Sequence, residues 1–288
     1  TDWLRRLQEP HRISIMRILQ LSDTHLRGDH SLSFRVVDTR RCLDGAVAHV
    51  KNLTQQPDII VITGDLADSG DLNAYHIMHD ELSPLGVPVY AVPGNHDRRD
   101  RLREVMPHWC PAKEDIAPYL CYTVEEENLR LIMMDSMSPG SHSGHFPAET
   151  GDWLERELAK RPDTPTMFFM HHPPFVTGMG AMDEPFENVE RFAAIVERNP
   201  QMRLSFGHMH RPIVTEWHGR LAMTAPAVSM QIDLDLSPEG GDNFRMETPG
   251  YLLHHFDKGV WNSHICQIAV QATFAGPYPF AGSVNPTQ

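Results

Sequence analysis

An acid and a histidine stand two residues apart in Asp23-Thr-His25, where the apolar run Ile18-Leu-Gln-Leu21 stops. In an extended chain residues i and i+2 project to the same side, so these two can offer an oxygen and an imidazole to one point. Four more strand-like runs end in the same kind of group: Gly64-Asp65-Leu-Ala-Asp68, Gly94-Asn95-His96-Asp97, His171-His172-Pro-Pro and Gly207-His208-Met-His210. Leaving so many polar groups buried and unpartnered would cost roughly 2–7 kcal/mol each. A metal cation removes that cost by using their lone pairs. Imidazole mixed with carboxylate suits Mn, Fe, Zn or Co, and with no thiolate in the set a structural zinc ribbon is excluded. Gly64, Gly94 and Gly207 each precede a ligand-type residue, where the chain must turn and let backbone approach the site.

Such groups meet only if the runs before them are strands of layered sheets, whose carboxyl ends line one crevice. The pattern predicts strands at Ile13–Leu21, Asp58–Thr63, Val87–Val92, Thr166–Met170 and Arg203–Phe206. Helices are expected between them, at Asp38–Lys51, Leu72–Leu82, Arg98–Met106, Glu149–Lys160 and Val189–Arg198, with Leu43, Val47 and Val50 typical of their buried faces. Tyr119–Val124 and Leu129–Met134 read as an antiparallel hairpin. After Pro212 the character is β: Ile213–Glu216, Arg220–Thr224, Val228–Leu236, Gly250–Phe256 and Val260–Ala269. The alternation favours an α/β fold, and the late strands read as a second sheet closing on the first. One domain over 13–270 is expected, with a lead-in at 1–12 and a tail at 271–288.

The 288 residues suffice for one large core. A formal charge of −13 argues against a nucleic-acid polymer as partner, but not against a small anion, which feels the local field. No run approaches the roughly 18 apolar residues of a membrane span, and no secretory h-region is present, so a soluble cytoplasmic protein is expected. The four cysteines lack C-x-x-C spacing and read as buried thiols, a Cys110–Cys121 bridge being open only in an oxidising compartment. The loop Val176–Met182, with Gly178, Met179 and Gly180, reads as a lid over an apolar part of a substrate, an oligomer contact or a mobile loop.

The order D-x-H, G-D-x-x-D, G-N-H-D, H-H-P-P, G-H-x-H over residues 14 to 212 resembles the calcineurin-like metallophosphoesterase superfamily. LQLSDTHL, GDLAD and GNHD are most similar to its bacterial class III cyclic-nucleotide and glycerophosphodiester phosphodiesterases. The resemblance implies a four-layer αββα sandwich of two mixed sheets and a two-ion site. One ion would take Asp23, His25 and His210, the other Asn95, His171 and His208, with Asp65 bridging the two. In-line attack of a metal-bridging hydroxide on phosphorus would follow. His96 is implied as a phosphate contact or acid for the leaving alkoxide, and Asp68 and Asp97 as residues that orient imidazoles or tie loops. Of the histidine pair, His171 is the expected ligand, leaving His172 for substrate.

Relatives of this kind often pair through late β segments, which leaves a homodimer open. Ser69 stands where protein phosphatases of the superfamily carry arginine, and Asp68 where purple acid phosphatases carry a metal-binding tyrosine. A phosphomonoesterase is the nearest enzymatic rival, and a metal-free scaffold the rival from another class. Arg98 and Arg99 depart from the diesterase pattern and are expected to alter substrate anchoring.

Overall fold

In the computed structural model, which describes residues 15–237, 240–268 and the backbone of Tyr278–Pro279, the apolar runs form the strands of two large mixed sheets. In the first, β1 (Met16–Leu21), β2 (Ile59–Thr63) and β3 (Val89–Val92) run parallel, with Leu19 opposite Ile60 and Val61 opposite Tyr90. The second contains β4 (Tyr122–Glu125), β5 (Arg130–Met134), β6 (Thr166–Met170), β7 (Met202–Phe206), β8 (Ile213–Trp217) and β9 (Arg220–Thr224), in the order β4-β5-β6-β7-β9-β8. Its inner four strands are parallel, and the expected hairpin of β4 and β5 forms one antiparallel edge.

The late strands do not form one second sheet. β12 (Gly250–Asp257) pairs antiparallel with β1, and β13 (Val260–Gln267) extends that edge. The segment expected as a strand over Val228–Leu236 is regular only at β10 (Gln231–Ile232), which joins β11 (Asn243–Arg245) and β14 (Tyr278–Pro279) in a small third sheet. A late strand completes whichever existing edge offers unpaired backbone groups, and sequence pattern does not say which edge that is. The lead-in, and the tail apart from β14, fall outside the described residues.

Helices α1 (Thr39–Lys51), α2 (Leu72–Leu82), α3 (Arg99–Val105), α4 (Ala148–Lys160) and α5 (Val189–Arg198) start largely where expected. The Asp38 carboxylate caps α1 by accepting from the Arg41 N–H, and Asp71 caps α2 through the Asn73 N–H. Leu43, Ala46, Val47 and Val50 of α1 and Tyr75 and Met78 of α2 pack on the first sheet. Trp153, Leu154 and Leu158 of α4 and Phe192, Ile195 and Val196 of α5 pack on the second. Alternation along the strands separates these cores. Leu131, Met133, Met167 and Phe169 face the first sheet, whereas Ile132, Met134, Phe168 and Met170 face α4 and α5. The layers are therefore helix, sheet, sheet, helix. Cys110 and Cys121 are buried free thiols in separate cores, so no bridge joins them. Among the described residues no helix is long and apolar enough to cross a membrane.

A polar network centred on Gln20 crosses the apolar gap between the sheets. The Gln20 amide of β1 donates to Thr63 Oγ1 of β2 at 2.9 Å and to the Phe206 carbonyl of β7 at 3.0 Å. Gln20 Oε1 accepts from Ser205 Oγ at 2.5 Å and lies 2.8 Å from His254 Nε2 of β12. Burial pushes the His254 imidazole down to about 3, so it is neutral in the folded protein. An unfolded histidine gains its proton below about 6.5 while the folded one stays neutral, so stability falls as pH drops from 6.5 towards 3. This term should amount to about 2 kcal/mol at pH 5. Urea unfolding at pH 7.5 and 5.0 should therefore show a smaller pH-dependent loss in His254→Gln than in the native chain; equal losses would assign the acid sensitivity elsewhere.

Candidate metal centre

All five motifs lie directly beyond the carboxyl end of a parallel strand. Asp23 and His25 follow β1, Asp65 follows β2 and Asn95 with His96 follows β3, while His171 with His172 and His208 with His210 follow β6 and β7 of the other sheet. The backbone of the first two loops is stitched together, the Asp23 N–H donating to the Gly64 carbonyl and the His25 N–H to that of Asp65. The loops of the two sheets meet where the His208 N–H donates to both carboxylate oxygens of Asp23, at 3.1 and 3.2 Å.

The side chains gather into three donor groups, of which two adjoin through Asp65. Asp23, His25, Asp65 and His210 make the first and His171, His172 and His208 the second, while His25 also groups with Asp68 and His96. In the first, His25 Nε2 and His210 Nε2 are 3.0 Å apart, and His210 Nε2 is 3.5 Å from Asp23 Oδ1. In the second, His171 Nε2 is 3.1 Å from Asn95 Oδ1. With metal–ligand bonds of about 2.1 Å, donors on one ion stand about 3.0 Å apart at right angles and about 3.4 Å apart at the tetrahedral angle. The observed separations match that spacing, although the contact between His25 Nε2 and His210 Nε2 is also that of an N–H···N hydrogen bond. Asp65 joins the sets: its Oδ2 lies 3.5 Å from His25 Nε2 and 3.5 Å from His171 Nε2, while Oδ1 accepts the His96 N–H at 2.9 Å.

Backbone carbonyls fix the rings. His171 Nδ1 lies 2.7 Å from the Thr63 carbonyl and His210 Nδ1 2.8 Å from that of Met230, contacts that require an Nδ1 proton and leave each Nε2 facing the site. Asp23, His25, Asp65, His208 and His210 all have positive φ, between 46° and 67°. Asp and His tolerate this left-handed region better than most side chains, yet such strain still costs roughly 1–3 kcal/mol each and persists only where surroundings over-determine it. Gly64, at φ +90°, leaves space that a Cβ would close, 2.2 Å from the His171 ring. A Cβ on Gly94 would stand equally close to the Asp65 carboxylate.

Electrostatics sort the imidazoles. Burial lowers His172, His208 and His210 well below the usual histidine value, leaving neutral lone-pair donors. Burial opposes the charge on His171 too, but the Asp65 carboxylate overrides it and pushes that ring up to about 9. For Asp65, desolvation is outweighed by His171 and His96, which hold the carboxyl well below its ordinary range. Burial raises Asp23 to about 6.

Around these groups, Asp68 accepts from Arg27 at 2.7 Å and Ser33 at 2.9 Å and faces His25 Nδ1 at 3.5 Å. Its carbonyl lies 2.7 Å from His96 Nδ1. Asp97 ties loops together, accepting from the Gly94, Leu66 and Ala67 N–H groups and the Tyr75 hydroxyl. His172, expected to turn away from the ions, stays with the cluster: its ring is 4.6 Å from His171 and 4.8 Å from His208, and Nδ1 contacts Ser136 Oγ at 2.8 Å. Strand alternation does not separate the pair because β6 already ends at Met170. Asn95 Nδ2 and His172 Nε2 are buried without a hydrogen-bond partner among the described residues.

The sequence reading passed over Asp135-Ser136, which the same strand-end rule would have found, since β5 ends at Met134. Asp135 holds Arg99 by two bonds of 2.6 and 2.9 Å, and Arg98 pairs with Asp100, so neither arginine is spare for a substrate. His142, with its ring 4.7 Å from His208 and Nδ1 3.1 Å from Glu184, carried no sequence signal. Met179 and Met182 are buried with Met209, Met230 and Phe244, so their loop packs over the segment bearing His208 and His210.

The profile of the calcineurin-like phosphoesterases matches residues 16–212, and the chain belongs to that family. It is 33% identical over 270 residues to a probable glycerophosphodiester phosphodiesterase, GpdQ, of Arcobacter nitrofigilis, covering 92% of this chain and 97% of the relative. It is 27% identical over 242 residues to the 3',5'-cyclic adenosine monophosphate phosphodiesterase CpdA of Escherichia coli, covering 82% and 83%. A crystal structure of a Thermus thermophilus protein superposes with TM-score 0.51 at 12% identity, covering 88% of this chain and 99% of that one, a likeness of fold.

Two results should follow from this geometry. Metal must displace protons from His171 and His25, so apparent affinity should rise with pH up to about 9, with proton release seen when calorimetry is repeated in buffers of different ionisation enthalpy. A pH-independent affinity would contradict the protonated His171. By metal analysis, Asp65→Asn should lose metal from both donor sets, and His171→Ala should lose more than His172→Ala; equal losses from the two histidine variants would make both rings ligands.

Proposed function

We propose that the chain is a phosphodiesterase of small molecules, with one domain over 13–270 holding two transition-metal ions of the Mn, Fe, Zn or Co group. Asp23, His25 and His210 hold one ion, Asn95, His171 and His208 the other, and Asp65 both. The observation that carries this is the single Asp65 oxygen equidistant, at 3.5 Å, from a nitrogen of each donor set. When bound, such a pair of cations supplies charge to polarise a phosphoryl oxygen and lowers the pKa of water.

The chain's own residues do the rest. The buried, unpartnered Asn95 Nδ2 offers a hydrogen bond to a phosphoryl oxygen. His96, whose Nδ1–H donates to the Asp68 carbonyl, presents Nε2 to the phosphate or the leaving alkoxide; burial lowers this ring, so it serves as the acid only in the protonated form that the anionic substrate would favour. His172 contacts substrate beside it. The relatives' names support 3',5'-cyclic nucleotides and glycerophosphodiesters as the substrate class. The acidic chain argues for a free small molecule and against a nucleic-acid polymer. We place the protein in the cytoplasm and leave a homodimer as a compatible assembly.

Purified protein loaded separately with Mn, Fe and Zn should hydrolyse cyclic nucleotides, glycerophosphodiesters or bis-nitrophenyl phosphate in preference to matched monoesters. A preference for monoesters would replace the diesterase reading. His96→Ala should keep its metal while kcat falls roughly 10²–10⁴-fold if this ring is the acid; loss of metal would make it a ligand instead.

A further inference from the structure

A cavity of about 290 Å³ adjoins the metal centre and shares Asn95 with it. Its walls come from the start of α3, with Arg98, Arg99 and Arg103, and from Pro118, Met137 and Pro139. Whole drug-sized ligands occupy about 300–1,000 Å³, so this space takes one arm of a substrate. Two of its cations are already neutralised, Arg98 by Asp100 and Arg99 by Asp135, each through two bonds. The Asp97 carboxylate is saturated by backbone N–H groups and Tyr75. Arg103 differs. Among the described residues its one hydrogen bond is from Nη2 to the Tyr119 carbonyl at 3.3 Å, and no carboxylate pairs with it. A guanidinium carries five N–H donors in a planar fork suited to a carboxylate or phosphate.

Resting on the diesterase reading, we propose that this cavity is the subsite for one ester arm of the substrate and that it selects an arm bearing its own anionic group. Asn95, whose Nδ2 is buried without a partner, marks the phosphoryl end. Pro118, Met137 and Pro139 line the stem of the arm, and Arg103 receives the carboxylate or second phosphate by a charge-assisted hydrogen bond. The half-buried position of Arg103 keeps this attraction from being fully screened, and added salt weakens it.

The test uses the metal-loaded full chain and three nitrophenyl diesters that differ only in the second arm: propyl, 2-carboxyethyl and 2-phosphoethyl. The native enzyme should favour the two anionic arms over propyl by about tenfold in kcat/KM, through KM, with the preference shrinking at high salt. Arg103→Gln should bring the ratio close to one, and Arg103→Lys should restore part of it. Calorimetric binding of 3-phosphonopropanoate against propylphosphonate should show the same ordering without turnover. A preference for carboxyethyl alone, or for phosphoethyl alone, identifies the arm's charge carrier within the proposal. Equal use of all three diesters, or a preference untouched by Arg103→Gln, would overturn the subsite while leaving the diesterase reading intact. Absence of diester hydrolysis by the metal-loaded chain would overturn the reading beneath it.

Discussion

The carboxylate of Asp65 is buried between two sets of imidazoles, the first drawn from the loops of both sheets and the second from the loops of the second sheet, and much of the local architecture keeps it there. One oxygen is spent on the His96 N–H, which orients the other toward both sets. Buried anions cost several kcal/mol unless compensated. Here the compensation comes first from His171, raised to about 9 by this carboxylate. The same charge therefore organises the imidazoles around it.

Holding that arrangement needs two sheets in fixed relation. Asp23, His25, Asp65 and Asn95 ride on the first sheet, whereas His171, His208 and His210 ride on the second. An apolar interface alone tolerates sliding, because burial is non-directional. The Gln20 amide, bonded to Thr63 and Phe206 at the ends of β2 and β7, supplies direction. Thr63 and Phe206 each lie two residues before a ligand-type side chain, Asp65 and His208, so an inter-sheet shift would be felt at the site directly. The His208 N–H on the Asp23 carboxylate is a second bond of the same kind.

Five of the site's residues sit at positive φ, and this links sequence choice to strain. Asp23 and His25 lie beyond the end of β1 in left-handed backbone, so it is these torsions, and not continued strand alternation, that bring their side chains together while their N–H groups bond to the Gly64 and Asp65 carbonyls. Asp and His are among the few side chains that accept such torsions, so the ligand residues are also the residues the bends require.

Much of the candidate site was legible in the chain, because each donor directly follows an apolar run and position relative to a strand end is a local property. Asp23, His25, Asp65, Asn95, His171, His208 and His210 do come together. So were the helices and the paired parallel strands, whose periodicities of burial are written in consecutive residues. Local pattern did not say that β12 and β13 complete the first sheet, nor that Val228–Leu236 is mostly irregular, since an edge is filled by whatever segment the tertiary fold brings to it. It did not separate His171 from His172, two neighbours beyond a strand's end whose rings are set by Thr63 and Ser136. Nor did it reveal that Asp135 takes up Arg99 while Arg103 keeps its fork, because which charges meet is decided by through-space distance. The sequence by itself determined the inventory of donors and their place at strand ends. The tertiary structure decided their partners, because hydrogen bonds and ion pairs depend on proximity between segments far apart in the chain.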